Sequence, residues 1–145
     1  MHARAWFVVE VPADCAPAEA LRRVLDLRAH NRLIPLTTVT PALSARELAV
    51  GSRFVGRTAV GPVGFDDPMR IEELSFLPDA EARISKQGRV IRGDVRVRAT
   101  PSPTGSLVRW EQSVHLPWLP GFLQPMAARA LQFGYRRVLV RLLAA

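Results

Sequence analysis

Cysteine and lysine are almost absent from this chain, since Cys15 and Lys86 are the single examples of each in 145 residues. One cysteine excludes an internal disulfide and gives no metal-site spacing. No apolar run approaches the ~20 residues that a membrane-spanning helix needs. The first residues lack the layout of a signal peptide, and we therefore expect a cytoplasmic protein.

Patterns that carry catalysis or bind metals are also missing. The three histidines, His2, His30 and His115, are dispersed and form no metal-ligand constellation. The chain has no Gly-rich phosphate loop, no Ser/His/Asp arrangement and no cysteine beside a helper base. We therefore expect no metal and no cofactor, and the sequence nominates no nucleophile.

Charge is unevenly distributed along the chain. Residues 1–75 hold 9 Arg/Lys and 9 Asp/Glu, whereas residues 76–145 hold 11 and 4, so the net charge of +7 lies in the second half. Nineteen of the 20 basic residues are Arg, a bias that a GC-rich genome produces by codon usage alone. With 48% hydrophobic and 23% charged residues, the composition favours one folded domain over residues 1–145.

The order of predicted elements is the most informative positive feature. Period-two patterns bounded by turn residues predict six strands, over residues 3–11, 52–60, 69–77, 81–86, 89–100 and 106–116. A helical stretch follows the first strand, with Asp14 as its predicted N-cap, Pro17 in its first turn and an end near His30. Residues 37–50 are predicted to form a loop with a short turn.

A long, mostly apolar helix with no acidic residue is predicted after Gly121. One helix covers only part of the face of an antiparallel sheet, so the rest of that face can become a pocket. Ala127, Ala130 and Gly134 form a stripe of small residues on this helix. The stripe either lines the pocket or lets the helix pack closely on the sheet.

Alternation assigns faces to the last two strands. Val95 and Trp110 belong to the apolar set that should face the helix, whereas Arg98 and Arg109 belong to the set that should face solvent. His115 falls on the solvent side.

This order of elements is typical of the helix-grip domain, and residues 25–35, 50–54, 65–69, 86–93 and 108–110 carry a closer likeness. Through them the chain resembles the START/Bet v 1-like superfamily, in particular its bacterial polyketide cyclase/dehydrase and lipid-transport branch. The resemblance implies an α+β fold in which a six- to seven-stranded antiparallel sheet surrounds the last helix. It also implies two short helices after the first strand and an apolar cavity between sheet and helix. The seventh strand would lie within residues 37–50 or at a break in residues 52–77.

We expect a small apolar ligand, lipid-like or polyketide-like, in that cavity. The expected ligand-binding residues lie on the inner strand faces and the last helix: Phe54, Thr58, Ile71, Glu73, Phe76, Ile91, Val95, Trp110, Gln112, Met126, Ala127, Ala130 and Gly134. The alternative is a polyketide aromatase/cyclase, in which Glu73, Gln112 or His30 moves protons. The sequence leaves open whether there is any catalysis.

Three polar pairs have both a functional and a structural interpretation. Asp66-Asp67 could bind a cation or share a proton, but before a proline such a pair more often forms a turn. An inward member of Glu72-Glu73 would need a partner or a raised pKa, and an irregular, solvated strand is the simpler interpretation. His30-Asn31 could supply a general base, although a structural polar pair is favoured.

A third hypothesis concerns the solvent face of the sheet. Its arginines could dock on an anionic membrane surface or an acidic partner. They are Arg89, Arg92, Arg96, Arg98 and Arg109. No aromatic residues are interleaved with them, so we expect no nucleic acid partner. The sequence is compatible with a monomer or a homodimer.

Overall fold

The computed structural model describes residues 5–144 and confirms the α+β helix-grip fold. The strands are β1 Ala5–Ala13, β2 Thr37–Thr40, β3 Arg53–Val60, β4 Val63–Ser75, β5 Ala80–Gln87, β6 Arg92–Ser102 and β7 Gly105–Val114. The helices are α1 Pro17–Leu25, α2 Leu27–Leu33 and α3 Gln124–Ala144, with short 3-10 turns at Ala45–Glu47 and Gly121–Leu123. All neighbouring strands are antiparallel, in the order β1-β7-β6-β5-β4-β3-β2.

The helical stretch after β1 is divided into two helices at Asp26. This residue has extended backbone angles, φ −75° and ψ 99°, and its carboxylate accepts hydrogen bonds from the backbone N–H groups of Arg28 and Ala29 at 3.0 and 3.3 Å. Asp26 is therefore the N-cap of α2. The prediction that Asp14 is the N-cap of the first helix is wrong, because Ala16 is the N-cap of α1.

The seventh strand is β2, which lies within the region predicted as a loop and pairs with β3. Four residues are too few to show a clear alternation. Asn31 of α2 supports the free edge of β2, since its side chain accepts from the Val39 N–H at 2.6 Å and donates to the Val39 carbonyl at 3.1 Å. This arrangement agrees with the favoured structural interpretation of Asn31.

Three prolines lie inside strands where the sequence predicted an end or a turn, and one of them is Pro101 near the end of β6. Pro12 is in β1, an edge strand, where a missing N–H costs no ladder hydrogen bond. Pro68 is in β4, which begins six residues earlier than predicted. Residues 63–68 pair with β3 alone, because pairing with β5 begins only at Met69. Pro68 therefore lies outside the β4–β5 ladder, and Gly88 lies beside its ring.

The apolar faces of β6 and β7 are buried as predicted. Val95, Val97, Val108 and Val114 have at most 1% of their surface exposed, and they face the helices. Gly93 has a φ of 150°, and a Cβ there would collide with the Ser113 carbonyl of β7. Glycine is therefore required for the close approach of these two strands.

Helix α3 packs against β1 and α1 and is buried most deeply at its two ends. At its start, the Gln124 side chain accepts from the Leu116 N–H at 3.0 Å and donates to the carbonyls of Leu116 and Leu119 at 2.8 and 3.0 Å. At its end, Leu142 is buried and the Leu143 carbonyl accepts from Arg23 at 2.8 Å. No helix within residues 5–144 is long and apolar enough to cross a membrane.

Candidate ligand-binding cavity

A cavity of about 310 Å³ lies between the inner face of the sheet, α1, α2 and α3. Its volume is at the lower end of the ~300–1,000 Å³ range of small-molecule sites. The walls are mainly apolar side chains from all of these elements, among them Val24, Leu27, Val39, Phe54, Phe65, Met69, Ile84, Ile91, Leu131 and Val138. The titratable groups of His30, Asp67, Lys86 and Tyr135 and the hydroxyls of Thr37 and Thr58 complete the lining.

Asp67 and Lys86 meet because of the strand register. Met69 of β4 is directly opposite Lys86 of β5, so Asp67 is the diagonal neighbour of Lys86 on the same face. Alternation points Lys86 inward together with Ala82 and Ile84. A long lysine side chain can span this diagonal, and the two groups form an ion pair with Nζ 2.5 Å from the Asp67 Oδ2.

The Lys86 ammonium is almost completely removed from solvent, with 2% of its side chain exposed. It donates to Asp67 Oδ2 and, at 2.8 Å, to the hydroxyl oxygen of Tyr135. Burial lowers the pKa of Lys86, whereas Tyr135 and the Asp67 carboxylate raise it. Their combined effect is larger than that of burial, so the net shift of the pKa is upward. Lys86 is therefore an ammonium donor, and not a free amine, at physiological pH.

Asp67 retains one unused acceptor. Its Oδ1 atom is buried and has no hydrogen-bond partner within residues 5–144. A buried polar atom left without a partner costs about 1–3 kcal/mol. This atom therefore provides a place where a ligand or a water molecule would be stabilised.

Tyr135 connects the ion pair to the aromatic side of the cavity. Its ring stacks on Trp110 with centroids 5.1 Å apart and lies 5.6 Å from the ring of Phe7. Trp110 donates to the side-chain oxygen of Gln112 at 3.1 Å. The Gln112 amide nitrogen is buried with no partner among the described residues. The stacking holds the Tyr135 hydroxyl in place beside Lys86.

His30 is a neutral histidine on the cavity wall. Burial lowers its pKa, and this effect exceeds the opposite influence of its hydrogen bond to the Val24 carbonyl and of Asp26. The nearby Lys86 charge lowers the pKa further. Nε2 lies 2.9 Å from the Val24 carbonyl and must be the protonated nitrogen, since a carbonyl only accepts. Nδ1 is then the unprotonated one.

The expected ligand-binding residues are divided between several places. Phe54, Thr58, Ile91 and Trp110 line the cavity. Ile71, Val95 and Gln112 are buried in the core outside the cavity lining, and Ala127 is half-buried against the core. Phe76 is half-buried too, with the Arg22 guanidinium 5.2 Å from its ring. Glu73, Met126, Ala130 and Gly134 lie on exposed surfaces away from the cavity.

The expectation that Glu73 points into the cavity is wrong, because β4 contains a β-bulge. Ile71 pairs with Ile84 but Glu73 pairs with Arg83, so Glu72 is an extra residue in β4. Both glutamates consequently point to the outer face, where Glu73 lies 3.4 Å from Arg83 and Glu72 accepts from Ser85 at 2.8 Å. The simpler interpretation of this pair, a solvated irregularity, is confirmed.

The expectation that Ala130 and Gly134 lie on the inward face of α3 is also wrong. The helix turns Ala128, Leu131, Tyr135 and Leu139 toward the core and cavity, whereas Ala130 and Gly134 face outward. A Cβ added at Gly134 would meet no atom within 4 Å. Ala130 and Gly134 therefore neither line the cavity nor permit close packing on the sheet, and of this stripe only Ala127 packs against the core.

Sequence reasoning missed Lys86, Asp67 and Tyr135 as members of the cavity. One signal for Lys86 was present: a chain that uses Arg for 19 of its 20 basic residues has its only lysine at an inward position of β5. A compact ammonium on a flexible stem can be placed in a cavity where a guanidinium would not fit.

The arginines of the outer sheet face are largely occupied by neighbouring groups. Arg98 donates twice to Glu81, at 3.0 and 3.2 Å, and Arg109 pairs with both Glu10 and Glu111. Arg92 donates to the Gly88 carbonyl. Carboxylates therefore neutralise two of the five arginines, Arg98 and Arg109, whereas Arg89, Arg92 and Arg96 form no ion pair within residues 5–144.

The seven-stranded antiparallel sheet closes around a long helix and encloses an apolar cavity with a few polar groups. This architecture is that of a helix-grip protein with an internal cavity. The chain belongs to the family described as polyketide cyclase / dehydrase and lipid transport, whose match covers residues 4–145.

Solved structures share this fold at low sequence identity. Protein MLL2253 from Mesorhizobium loti has 20% identity and a TM-score of 0.65, with 94% of this chain and 93% of that chain covered. Ara h 8.0201 has 13% identity and a TM-score of 0.66, with 99% and 100% covered. The di-domain ARO/CYC StfQ of the steffimycin biosynthetic pathway has 10% identity and a TM-score of 0.73, with 96% of this chain covered but 49% of StfQ. No curated protein matches the chain.

Proposed function

We propose that the protein binds a small, uncharged and mainly apolar ligand whose single hydroxyl or carbonyl group lies against Lys86, Asp67 and Tyr135. The observation that carries this proposal is the unused Oδ1 acceptor of Asp67, which is buried beside an ion pair in an otherwise apolar cavity. Apolar walls provide affinity, and a few placed polar groups provide orientation.

The polar groups offer both a donor and an acceptor. An ammonium can only donate, so the Tyr135 oxygen is the acceptor in its contact with Lys86. The proton of the Tyr135 hydroxyl is therefore available to a ligand oxygen. A ligand hydroxyl can accept from Tyr135 and donate to Asp67 Oδ1, which satisfies both groups together.

The charge of the site favours a neutral ligand over a carboxylate. Lys86 and Asp67 cancel each other, and the described part of the cavity wall has no further cation. A buried anion without a partner is strongly unfavourable. This distinguishes the proposed ligand, a phenol- or ketone-bearing ring compound, from a free fatty acid.

The size of the cavity limits the ligand to about ten heavy atoms, if each occupies the ~30 Å³ of a water molecule. Naphthalene and β-naphthol are matched at this size, and β-naphthoate, which is about three heavy atoms larger than naphthalene, adds a carboxylate to the same ring system. We expect β-naphthol to bind about 10–100-fold more tightly than naphthalene, because a hydrogen bond to a charged group contributes about 1.5–3 kcal/mol. β-Naphthoate should bind most weakly.

Isothermal titration calorimetry of the three compounds tests the proposal. The control variant joins Lys86→Met with Asp67→Leu, so that the ion pair becomes apolar while the cavity remains. This variant should keep naphthalene binding and lose the preference for β-naphthol. If neither naphthalene nor β-naphthol binds to the wild type, the cavity is not a ligand site and the proposal is refuted.

His30 supports a second candidate, an aldol-type cyclase. The neutral Nδ1 could take a proton from the carbon beside a ketone of a ligand. The electron pair would then move onto the ketone oxygen, which the Tyr135 hydroxyl and the Lys86 ammonium would stabilise by hydrogen bonds. The neighbour StfQ carries the ARO/CYC designation on the same fold, which agrees with this candidate.

Hydrogen–deuterium exchange at the methyl group of acetophenone, followed by NMR, tests the second candidate. Exchange should be accelerated by the wild type and not by His30→Gln. The control variant His115→Gln removes a histidine on the outer face and should leave exchange unchanged. Equal exchange in the presence and absence of wild-type protein would leave ligand binding as the function and remove the cyclase.

A further inference from the structure

The outward face of α3 carries a row of exposed apolar side chains. Met126, Phe133 and Val140 are seven residues apart and lie almost on one line, because seven residues make about two helical turns. Their exposed fractions are 67%, 65% and 48%. Phe122, in the turn before the helix, is 80% exposed and extends the row. A helix that merely covered the sheet would have polar residues in these places.

Arginines border this row on both sides. Arg129 and Arg136 lie on one flank, and Arg137 and Arg141 lie on the other. Residues 112–145 contain no Asp or Glu. None of the four arginines forms an ion pair with a carboxylate in residues 5–144, whereas Arg98 and Arg109 on the sheet do. Arg89, Arg92 and Arg96 on the sheet also form no ion pair in residues 5–144, but α3 combines its arginines with a row of exposed apolar side chains and has no acidic residue of its own.

We propose that the outward face of α3 docks on an anionic lipid membrane, with the apolar row in the interface and the arginines at the headgroup level. Apolar residues bordered by Arg or Lys are the pattern of helices that lie in the membrane plane. Each arginine near an anionic surface contributes about 1 kcal/mol, equivalent to about fivefold in affinity.

A second copy of the chain fits this face less well than a membrane. A two-fold contact through the apolar row would bring the arginines of one copy against those of the other, with no acidic residue of α3 to separate them. A lipid surface instead supplies the negative charge that the face lacks.

The proposed membrane face adjoins the cavity. A surface groove of about 260 Å³ is lined by Ile34, Gly134, Arg137 and Arg141, and it shares Ile34 and Val138 with the cavity. The proposed membrane face and the cavity therefore share the wall formed by Ile34 and Val138, at the end of α2 and on α3. The membrane contact itself does not depend on which ligand the cavity holds.

Vesicle co-sedimentation with matched triple variants tests the proposal. The vesicles contain two parts phosphatidylcholine and one part phosphatidylglycerol, with pure phosphatidylcholine as the neutral comparison. The helix variant carries Arg129→Gln, Arg136→Gln and Arg137→Gln, and the sheet variant carries Arg92→Gln, Arg96→Gln and Arg98→Gln. Both lose three positive charges. The helix variant should bind anionic vesicles on the order of a hundredfold more weakly, while the sheet variant binds almost as the wild type does.

The apolar row has its own variant and control. Phe133→Gln should weaken vesicle binding, whereas Trp6→Gln, at a 61% exposed position on β1, should not. Equal losses in both triple variants would show attraction by net charge alone and overturn the proposal. So would unchanged binding of the helix variant, or no binding of the wild type to anionic vesicles. Sedimentation velocity that shows a dimer dissociated by Phe133→Gln would assign the face to self-association instead.

Discussion

Replacing Lys86 with methionine should destabilise the protein more than any replacement of a surface arginine. The substitution keeps most of the side-chain volume but removes the ammonium, and it leaves the Asp67 carboxylate, 12% exposed, without its ion-pair partner. Removing one member of a buried pair costs about 3–5 kcal/mol, because the remaining charge stays desolvated. For a chain of this length, such a loss lowers the melting temperature by about 10–15 °C.

The matched control is the exposed pair of Arg98 and Glu81. It has two short hydrogen bonds, but its side chains are 51% and 39% exposed. Arg98→Met should therefore cost less than about 1 kcal/mol. Burial, and not the number of hydrogen bonds, accounts for the expected difference between the two pairs.

A double-mutant cycle separates the ion pair from the general effect of mutating a core residue. Lys86→Met combined with Asp67→Leu removes both charges, so the double variant should be more stable than Lys86→Met alone. Urea unfolding followed by tryptophan fluorescence measures all four proteins. A loss below about 1 kcal/mol for Lys86→Met, or simple additivity in the double variant, would refute the reasoning.

Three further expectations follow from the packing and from His30. Trp110→Ala should cost about 3–5 kcal/mol in a urea melt, because it removes a buried ring that stacks on Tyr135, and Trp118→Ala, at a 61% exposed site, should cost much less. Ala128→Leu should overpack the buried face of α3 and lower the free energy of unfolding by about 1–3 kcal/mol. The control Ala130→Leu, on the exposed face, should leave the melting temperature and naphthalene binding unchanged, and its destabilisation would contradict the orientation of the helix. The folded protein keeps the pKa of His30 below its ordinary value of 6.5, so the unfolded chain takes up a proton at this residue first as the pH falls. The free energy of unfolding therefore decreases below pH 6.5, by at most ~1.4 kcal/mol per pH unit. His30→Gln should flatten this decline between about pH 7 and pH 5, and an unchanged slope would show that His30 does not titrate as described.

The sequence was sufficient to predict the inner and outer faces of β6 and β7. A period of two over ten residues leaves one register that buries Val95 and Trp110 while exposing Arg98 and Arg109. The order of elements then led to the helix-grip fold, because few architectures place one long helix after a series of hairpins.

The polar centre of the cavity could not be predicted in the same way. Asp67 stands in an Asp-Asp-Pro sequence that is typical of a turn, and it points inward only because β4 continues for six residues beside β3 alone. Tyr135 was obscured by a different effect. Apolar residues occur on both sides of α3, Phe133 outside as well as Leu131 inside, so periodicity did not single out the buried face.

Because α3 is attached at its two ends, the residues that stabilise its position are different from those that border the cavity. Gln124 at the start of the helix and Leu143 at its end form the fixed contacts, while Leu131 and Val138 between them border the cavity and stay only half-buried. Substitutions at these two middle positions can enlarge or reduce the cavity without disturbing either end. Chains with this architecture can therefore diverge in the ligands they accept while their sheet and helix keep the same arrangement.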